Sequence, residues 1–226
     1  MSKKFGEHFK VYALDQRNHG ASPHSSIFNY EVMVEDLHDF VQRRGMSSVH
    51  LLGHSMGGKT AMHFAVKFPE KTNNLIVVDI APRTYRTSHD EILDALCALN
   101  VRKFSSRKEV DEALSRKIRE ETVRQFLLTN LKRDDEGKFF WRINLKALRR
   151  NYGEIVKGLH TQRVFGKPTL FIAGGKSSYV TKKDWHLIKR IFPNSKGIVI
   201  AQAGHWVHAE APEEFSKTVL DFLKKQ

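Results

Sequence analysis

The 226-residue chain has one cysteine, Cys97, which excludes an internal disulfide and any fold held by a cross-link framework. No stretch approaches the roughly 20 apolar residues that a membrane-spanning helix needs, and the first turn or two of sequence is too polar for a secretory signal. The expectation is an intracellular protein, cytoplasmic or mitochondrial, without an integral membrane segment. Zinc-type cysteine and histidine spacings, a glycine-rich phosphate loop and an RNA-binding aromatic signature are also missing, so neither metal nor cofactor is expected. Acidic residues are outnumbered, 25 against 38 Lys and Arg, for a formal charge of +13. The bases are scattered rather than striped, and pairs such as Lys182, Lys183 and Lys189, Arg190 read as exposed helix faces. A solvated basic surface is therefore expected, with no nucleic-acid partner. Oligomeric state has no signature in the sequence.

What is present suffices for one domain with an inserted subdomain. Residues 9–14 (FKVYAL) have a strand pattern and run into a polar loop at 15–20. A helix is expected over 30–44, where Met33, Leu37, Phe40 and Val41 share one face and Glu31, Glu35 and Asp36 lie near the start. A strand at 48–52, a helix at 58–68 and a continuous apolar run at 75–80 (LIVVDI) come next, the last as expected for a strand covered on both faces. Strands alternating with helices imply right-handed crossovers and a mainly parallel sheet. Residues 83–165 break that rhythm. Helical patterns at 89–99, 108–118, 121–131 and 145–159, with only a brief strand-like stretch at 139–143, predict an all-helical insertion. The alternation resumes with a strand at 168–173, a helix at 182–192, a strand at 197–201 and a closing helix at 212–223, where Pro212, Glu213 and Glu214 suit a helix start. The expected division is a core of 1–82 and 166–226 with an inserted subdomain of 83–165.

The residues Gly53, His54, Ser55, Met56 and Gly57 form Gly-x-Ser-x-Gly between a predicted strand and a predicted helix. That turn exposes the serine hydroxyl and sets it beside a helix N-terminus whose amides can hold an oxyanion, so Ser55 is the candidate nucleophile and the Met56 N–H an oxyanion donor. A serine needs a base and a group that orients the base. His205, in the turn after the strand at 197–201, is the candidate base, with His208 its competitor. The loop after the strand at 168–173 reads Gly174, Gly175, Lys176, Ser177, Ser178, Tyr179 and holds no carboxylate. Asp79 is then the acid, its alternative role being a turn cap before Pro82; Asp184 is the reserve, read otherwise as a solvated helix residue. Candidates for touching substrate are Arg17, Asn18, His19, His54 and Trp206. The first three read equally as a turn held by Asp15 and Asn18. Trp206, Phe126 and Phe140 read either as an acyl pocket or as plain core.

The segments 15–20 with Ser22, Pro23 and His24, then 53–59, 78–82 and 204–210, together resemble the α/β-hydrolase branch of the bacterial YbfF-type esterases and the abhydrolase domain-containing protein 11 group. The resemblance spans nearly the whole chain. It implies a mainly parallel sheet flanked by helices, with 83–165 as a helical cap over the site. It also implies Ser55 as nucleophile, His205 as base, Asp79 as acid, and hydrolysis of small-molecule carboxylic esters of small to medium acyl groups, or of thioesters. The same branch carries further strands ahead of 9–14 and a His-Gly loop giving a second oxyanion amide. With no counterpart here, the expectation is an N-terminally shortened core with Met56 N–H as the one clear donor. The rival expectation is a catalytically impaired relative that binds an acyl metabolite, a lipid or a protein.

Overall fold

In the computed structural model, which describes residues 1–86 and 90–224, the chain first builds α1 (Ser2–Gly6), α2 (Tyr30–Arg43), β1 (Val49–His54), α3 (Met56–Lys67) and β2 (Thr72–Val78). It continues through α4 (Asp90–Ala98), α5 (Arg107–Ser115), α6 (Glu121–Leu128), β3 (Leu131–Arg133), β4 (Phe139–Trp141), α7 (Leu145–Arg150) and α8 (Tyr152–Val156). Then come β5 (Thr169–Gly174), α9 (Asp184–Ile191), β6 (Ser195–Ile200), α10 (Val207–Glu210) and α11 (Pro212–Lys224). The predicted start of the helix at 89 lies outside the described residues.

Two units result. The first, Met1–Leu14, Tyr30–Tyr85 and Lys157–Gln226, is a four-stranded sheet in the order β1-β2-β5-β6 with every pair parallel. The apolar run at 75–80 explains its layering. In a strand, successive side chains leave by opposite faces, so Leu75 and Val77 enter one cluster with Ala61, Ala65, Phe171, Ile188 and Phe192 from α3, β5 and the α9 side. Ile76 and Val78 enter another with Leu170, Ile172, Phe215 and Val219, which brings α11 against the opposite face. All four β2 side chains are at most 1% exposed, each contributing about 1.5–3 kcal/mol relative to exposure. Helix α2 packs through Val34 and Val41 on Phe64 of α3.

The predicted strand at 9–14 is a correction: no strand forms there. Phe9 packs edge-on to His50 of β1 at 5.8 Å and Tyr12 on Phe40 of α2 at 5.4 Å, but Val11 and Leu14 are exposed. A β-former pattern needs a neighbouring backbone to make a ladder. Among the described residues β1 pairs only with β2, so it is an edge of the sheet.

The second unit is Asp15–Asn29 with Arg86–Val156. Helices α4 to α7 enclose Leu96, Val110, Leu114, Leu128 and Leu145 together with Leu131 and Phe139 of an antiparallel β3–β4 hairpin. The insertion is thus not all-helical. Ser106 and Glu109 cap α5 reciprocally, Ser106 Oγ accepting from Glu109 N–H and Glu109 Oε2 from Ser105 N–H. The 145–159 helix is split at Asn151, whose side chain donates to Ala147 O and Ser26 O. Three boundaries differ from the expected division, the first being that the inserted stretch begins at Arg86 rather than 83. Residues 15–29 join this unit because Asn144 N–H donates to Asn18 O and the His24 ring meets Arg142 O, and the chain returns to the first unit at Lys157 rather than 166.

Candidate active site

The strand β1 ends at His54 and β2 at Val78, and these two residues are register partners. One step beyond each, the backbone turns sharply: Ser55 has φ 53° and Asp79 φ 48°, conformations that non-glycine residues rarely hold without a local reason. The first turn is tied to the end of β2, Ser55 N–H donating to Val78 O at 3.0 Å, and the second to β5, Asp79 N–H donating to Ile172 O at 2.8 Å. Gly53 is required for the first turn, since a Cβ there would lie 2.2 Å from Gly57 O. Ser55 sits at the N-cap of α3 and Met56 opens the helix, where the first amides have no helical acceptor and carry the positive end of the dipole.

Asp79 is fully buried, and its carboxylate is satisfied on both oxygens. Gly174 N–H donates to Oδ1 at 3.0 Å; the Ser177 hydroxyl and His205 Nδ1, the latter at 2.8 Å, both donate to Oδ2. This bond fixes the tautomer of His205, with the proton on Nδ1 and the lone pair on Nε2. His205 is reached because its loop crosses close over β5: a Cβ on Gly174 would lie 2.0 Å from Gly204 O. The loop itself is pinned by Glu210, whose carboxylate accepts from Gly204 N–H at 2.8 Å and Trp206 N–H at 3.0 Å.

Sequence reasoning missed the loop after β5. It has no carboxylate, but Ser177 supplies a hydroxyl to Asp79, and the Tyr179 ring stacks on the His205 imidazole with centroids 4.1 Å apart and planes 22° apart. The loop is held in turn: Tyr179 N–H donates to Ser177 Oγ, and the Tyr85 hydroxyl donates to Tyr179 O at 2.6 Å while accepting from Ala81 N–H. Arg83 lies 3.8 Å over the Tyr85 ring and pairs with Asp184 at 2.8 Å. Asp184 is therefore not a solvated helix residue; it is buried, and its other oxygen accepts from Thr181 N–H and Oγ1. Two serines in the loop where a carboxylate was sought were the available signal.

His54 and Trp206 also lie against His205, with ring centroids 4.6 and 5.5 Å away. His54 is itself surrounded, Trp206 and His208 lying 5.1 and 5.0 Å from it. Burial, reinforced by the neighbouring His205 and His208, pushes His54 down to about 4, and burial likewise lowers His208. Lys59, in the first part of α3, is lowered to about 8 by burial and by Arg83; its Nζ donates to Lys157 O at 2.6 Å and lies 4.8 Å over the Tyr85 ring. Among the described residues, no group of His, Cys, Asp and Glu is placed to hold a metal ion, and no helix is long and apolar enough to cross a membrane.

A family described as alpha/beta hydrolase fold matches residues 1–212. The chain belongs to this α/β-hydrolase family. Within the family it is similar to a Haemophilus influenzae protein named putative esterase/lipase, 38% identical over 226 residues that make up 100% of this chain and 77% of the relative. It is also similar to a mouse protein named sn-1-specific diacylglycerol lipase ABHD11, 39% identical over 220 residues, 95% of this chain and 71% of that one. Among solved structures, a marine microorganism esterase superposes with a TM-score of 0.95 at 42% identity, covering 98% of this chain and 87% of its own. The α/β-hydrolase sheet explains why Ser55, Asp79 and the His205 loop share one rim: all lie just past the carboxyl ends of parallel strands.

The remaining sequence candidates fall into both units. Trp206 is half-buried beside His54 and His205. Arg17, Asn18 and His19 belong to the second unit. There Asn18, at φ 66° and fully buried, accepts through Oδ1 from Ser25 N–H and Asn144 Nδ2, Arg17 donates to Ile27 O, and the His19 ring meets Arg17 O. Phe126 and Phe140, also in that unit, are exposed at 44% and 37% rather than core.

Proposed function

We propose that this carboxylic ester hydrolase works through a Ser55–His205–Asp79 relay and an acyl-enzyme. The observation that carries the reading is the 2.8 Å bond from His205 Nδ1 to a fully buried Asp79 carboxylate, one residue beyond the strand that neighbours Ser55's own. In the proposed reaction Ser55 Oγ attacks the acyl carbonyl as His205 Nε2 takes its proton. Asp79 holds the imidazolium that forms, and the Met56 N–H, at the positive end of α3, donates to the developing oxyanion. The leaving alcohol receives the proton from Nε2, and water, activated by the same nitrogen, releases the acyl group and restores Ser55. Trp206, beside His54 and His205, is the proposed substrate contact. Small to medium acyl esters are the proposed substrates, with diacylglycerol included in the test because a 39% identical relative carries that name.

The experiment is labelling with a fluorophosphonate, then turnover of nitrophenyl esters of increasing chain length and of diacylglycerol. The expected result is covalent labelling and ester turnover in the wild type, both abolished in Ser55→Ala. A folded wild type that neither labels nor hydrolyses any of these esters overturns the reading in favour of an acyl-binding relative without catalysis.

A further inference from the structure

The proposed base stands at the end of a loop, and a loop must be held still if a proton is to pass between two heavy atoms near 3 Å apart. Two of the restraints on this loop are its own: Glu210, five residues beyond His205, receives the amides of Gly204 and Trp206 on either side of it. The carbonyl of His205 is left, and it accepts from a residue remote in sequence. His54 Nε2 lies 2.8 Å from His205 O. A carbonyl can only accept, so Nε2 carries the proton and the tautomer of His54 is set. His54 is the last residue of β1, next to Ser55, so the bond joins the strand carrying the nucleophile to the backbone of the base.

We propose that His54 is a positioning residue for the reaction, its Nε2–H holding the His205 peptide so that the imidazole keeps its register between Asp79 and Ser55. This rests on the relay proposed above, and it assigns His54 a role other than contact with substrate. Three observations support it. The Nε2 proton is committed to a backbone acceptor rather than turned outward. The ring is wedged among His205, Trp206 and His208 at 4.6 to 5.1 Å, so it has little freedom to swing onto a ligand. Burial keeps it neutral, so the positive charge that develops on His205 during turnover meets no second cation at that distance. A neutral donor of fixed tautomer suits this place; a cation would oppose the step.

The test separates the donor from the ring. His54→Phe keeps the aromatic packing and deletes the N–H, whereas His54→Gln puts an amide N–H at a similar reach and deletes the ring. Both are compared with wild type for kcat and KM on a nitrophenyl ester and for the rate of fluorophosphonate labelling, which reads nucleophile activation without acyl-chain contacts. The expected result is a fall of about 10²-fold in kcat and in labelling rate for His54→Phe, the scale of a misplacement of about 1 Å, with KM little changed and substantial rescue in His54→Gln. Four results would overturn the positioning role: labelling of His54→Phe at the wild-type rate, loss in Gln but not in Phe, equal loss in both, or a rise in KM with kcat and labelling unchanged, which assigns His54 to substrate. Failure of the relay itself looks different: the wild type does not label, or Ser55→Ala still turns over. Should His54→Phe prove unstable by thermal melting, the His54→Gln labelling rate alone decides, a fall of about 10²-fold refuting the donor role.

Discussion

Replacing Asp79 by Asn changes one oxygen into an amide nitrogen, and the groups around it determine the outcome. Donors converge on the carboxylate from three sides: Gly174 N–H on Oδ1, Ser177 Oγ and His205 Nδ1 on Oδ2. An asparagine can keep its oxygen toward Gly174, which leaves its NH₂ facing the other two. Ser177 can rotate its hydroxyl and accept. His205 has no such freedom: against an N–H its Nδ1 must become the acceptor, and the proton moves to Nε2, the atom that has to receive a proton from Ser55. The base is then present in the wrong tautomer, an effect that costs about 10⁴-fold in kcat where the same change has been made in a serine triad, or about 5.5 kcal/mol at 1.36 kcal/mol per decade. Stability should change far less, by about 1–3 kcal/mol for the weakened hydrogen bonds, a few degrees in melting temperature for a chain of this size. The assay is steady-state release of nitrophenolate by wild type and Asp79→Asn, with melting curves on the same samples. A fall of about 10³- to 10⁴-fold in kcat with a near-native melt is expected. A kcat within about tenfold of wild type in a folded variant would refute the reasoning and move the orienting group elsewhere.

Ser177→Ala removes a hydroxyl that donates to a buried carboxylate; a stability loss of about 1.5–3 kcal/mol by urea titration is expected, with a smaller loss of kcat than in Asp79→Asn, and an unchanged midpoint would contradict it. Gly53→Ala drives a Cβ to 2.2 Å from Gly57 O; the turn must shift, so activity should be lost even where circular dichroism finds the protein folded, and a fully active variant would argue against the elbow. His54 and His63 are each depressed to about 4 chiefly by burial, from 6.5. The unfolded chain therefore binds more protons than the folded one between about pH 4 and 6.5, and stability falls as pH drops through that window, by up to about 3 kcal/mol per imidazole. Denaturant titrations at pH 7, 5.5 and 4.5 should show the decline, and a flat profile would contradict the burial argument.

The sheet was legible where the side-chain pattern is self-sufficient. The run Leu75, Ile76, Val77, Val78 needs cover on both faces whatever its neighbours, and it received two clusters. At 9–14 the same kind of pattern misled, because a strand is defined by its partner's backbone and none is paired to that segment. The Ser55 turn was legible because glycines on both sides of a serine betray a tight bend. Asp79 was read as the acid because the loop after β5 lacked one, and the same reasoning passed over what that loop does contain. A hydroxyl reaching a carboxylate 98 positions away, or a tyrosine stacking on a histidine, leaves no local spacing to read. The loop at 15–29 was assigned to the core by its place in the chain, whereas its hydrogen bonds run to Arg142, Asn144 and Asn151.

The bends at Ser55 and Asp79 are linked through a single amide of one and the last strand carbonyl before the other. Neither is a comfortable conformation for an L-residue, so each is kept only while the strand ends beneath stay zipped. Fraying by a residue or two at that margin relaxes both at once, long before the buried rib of the sheet gives way. On slow heating, enzymatic competence should therefore vanish ahead of the far-ultraviolet signal, making turnover a more sensitive thermometer of this molecule than its own helices.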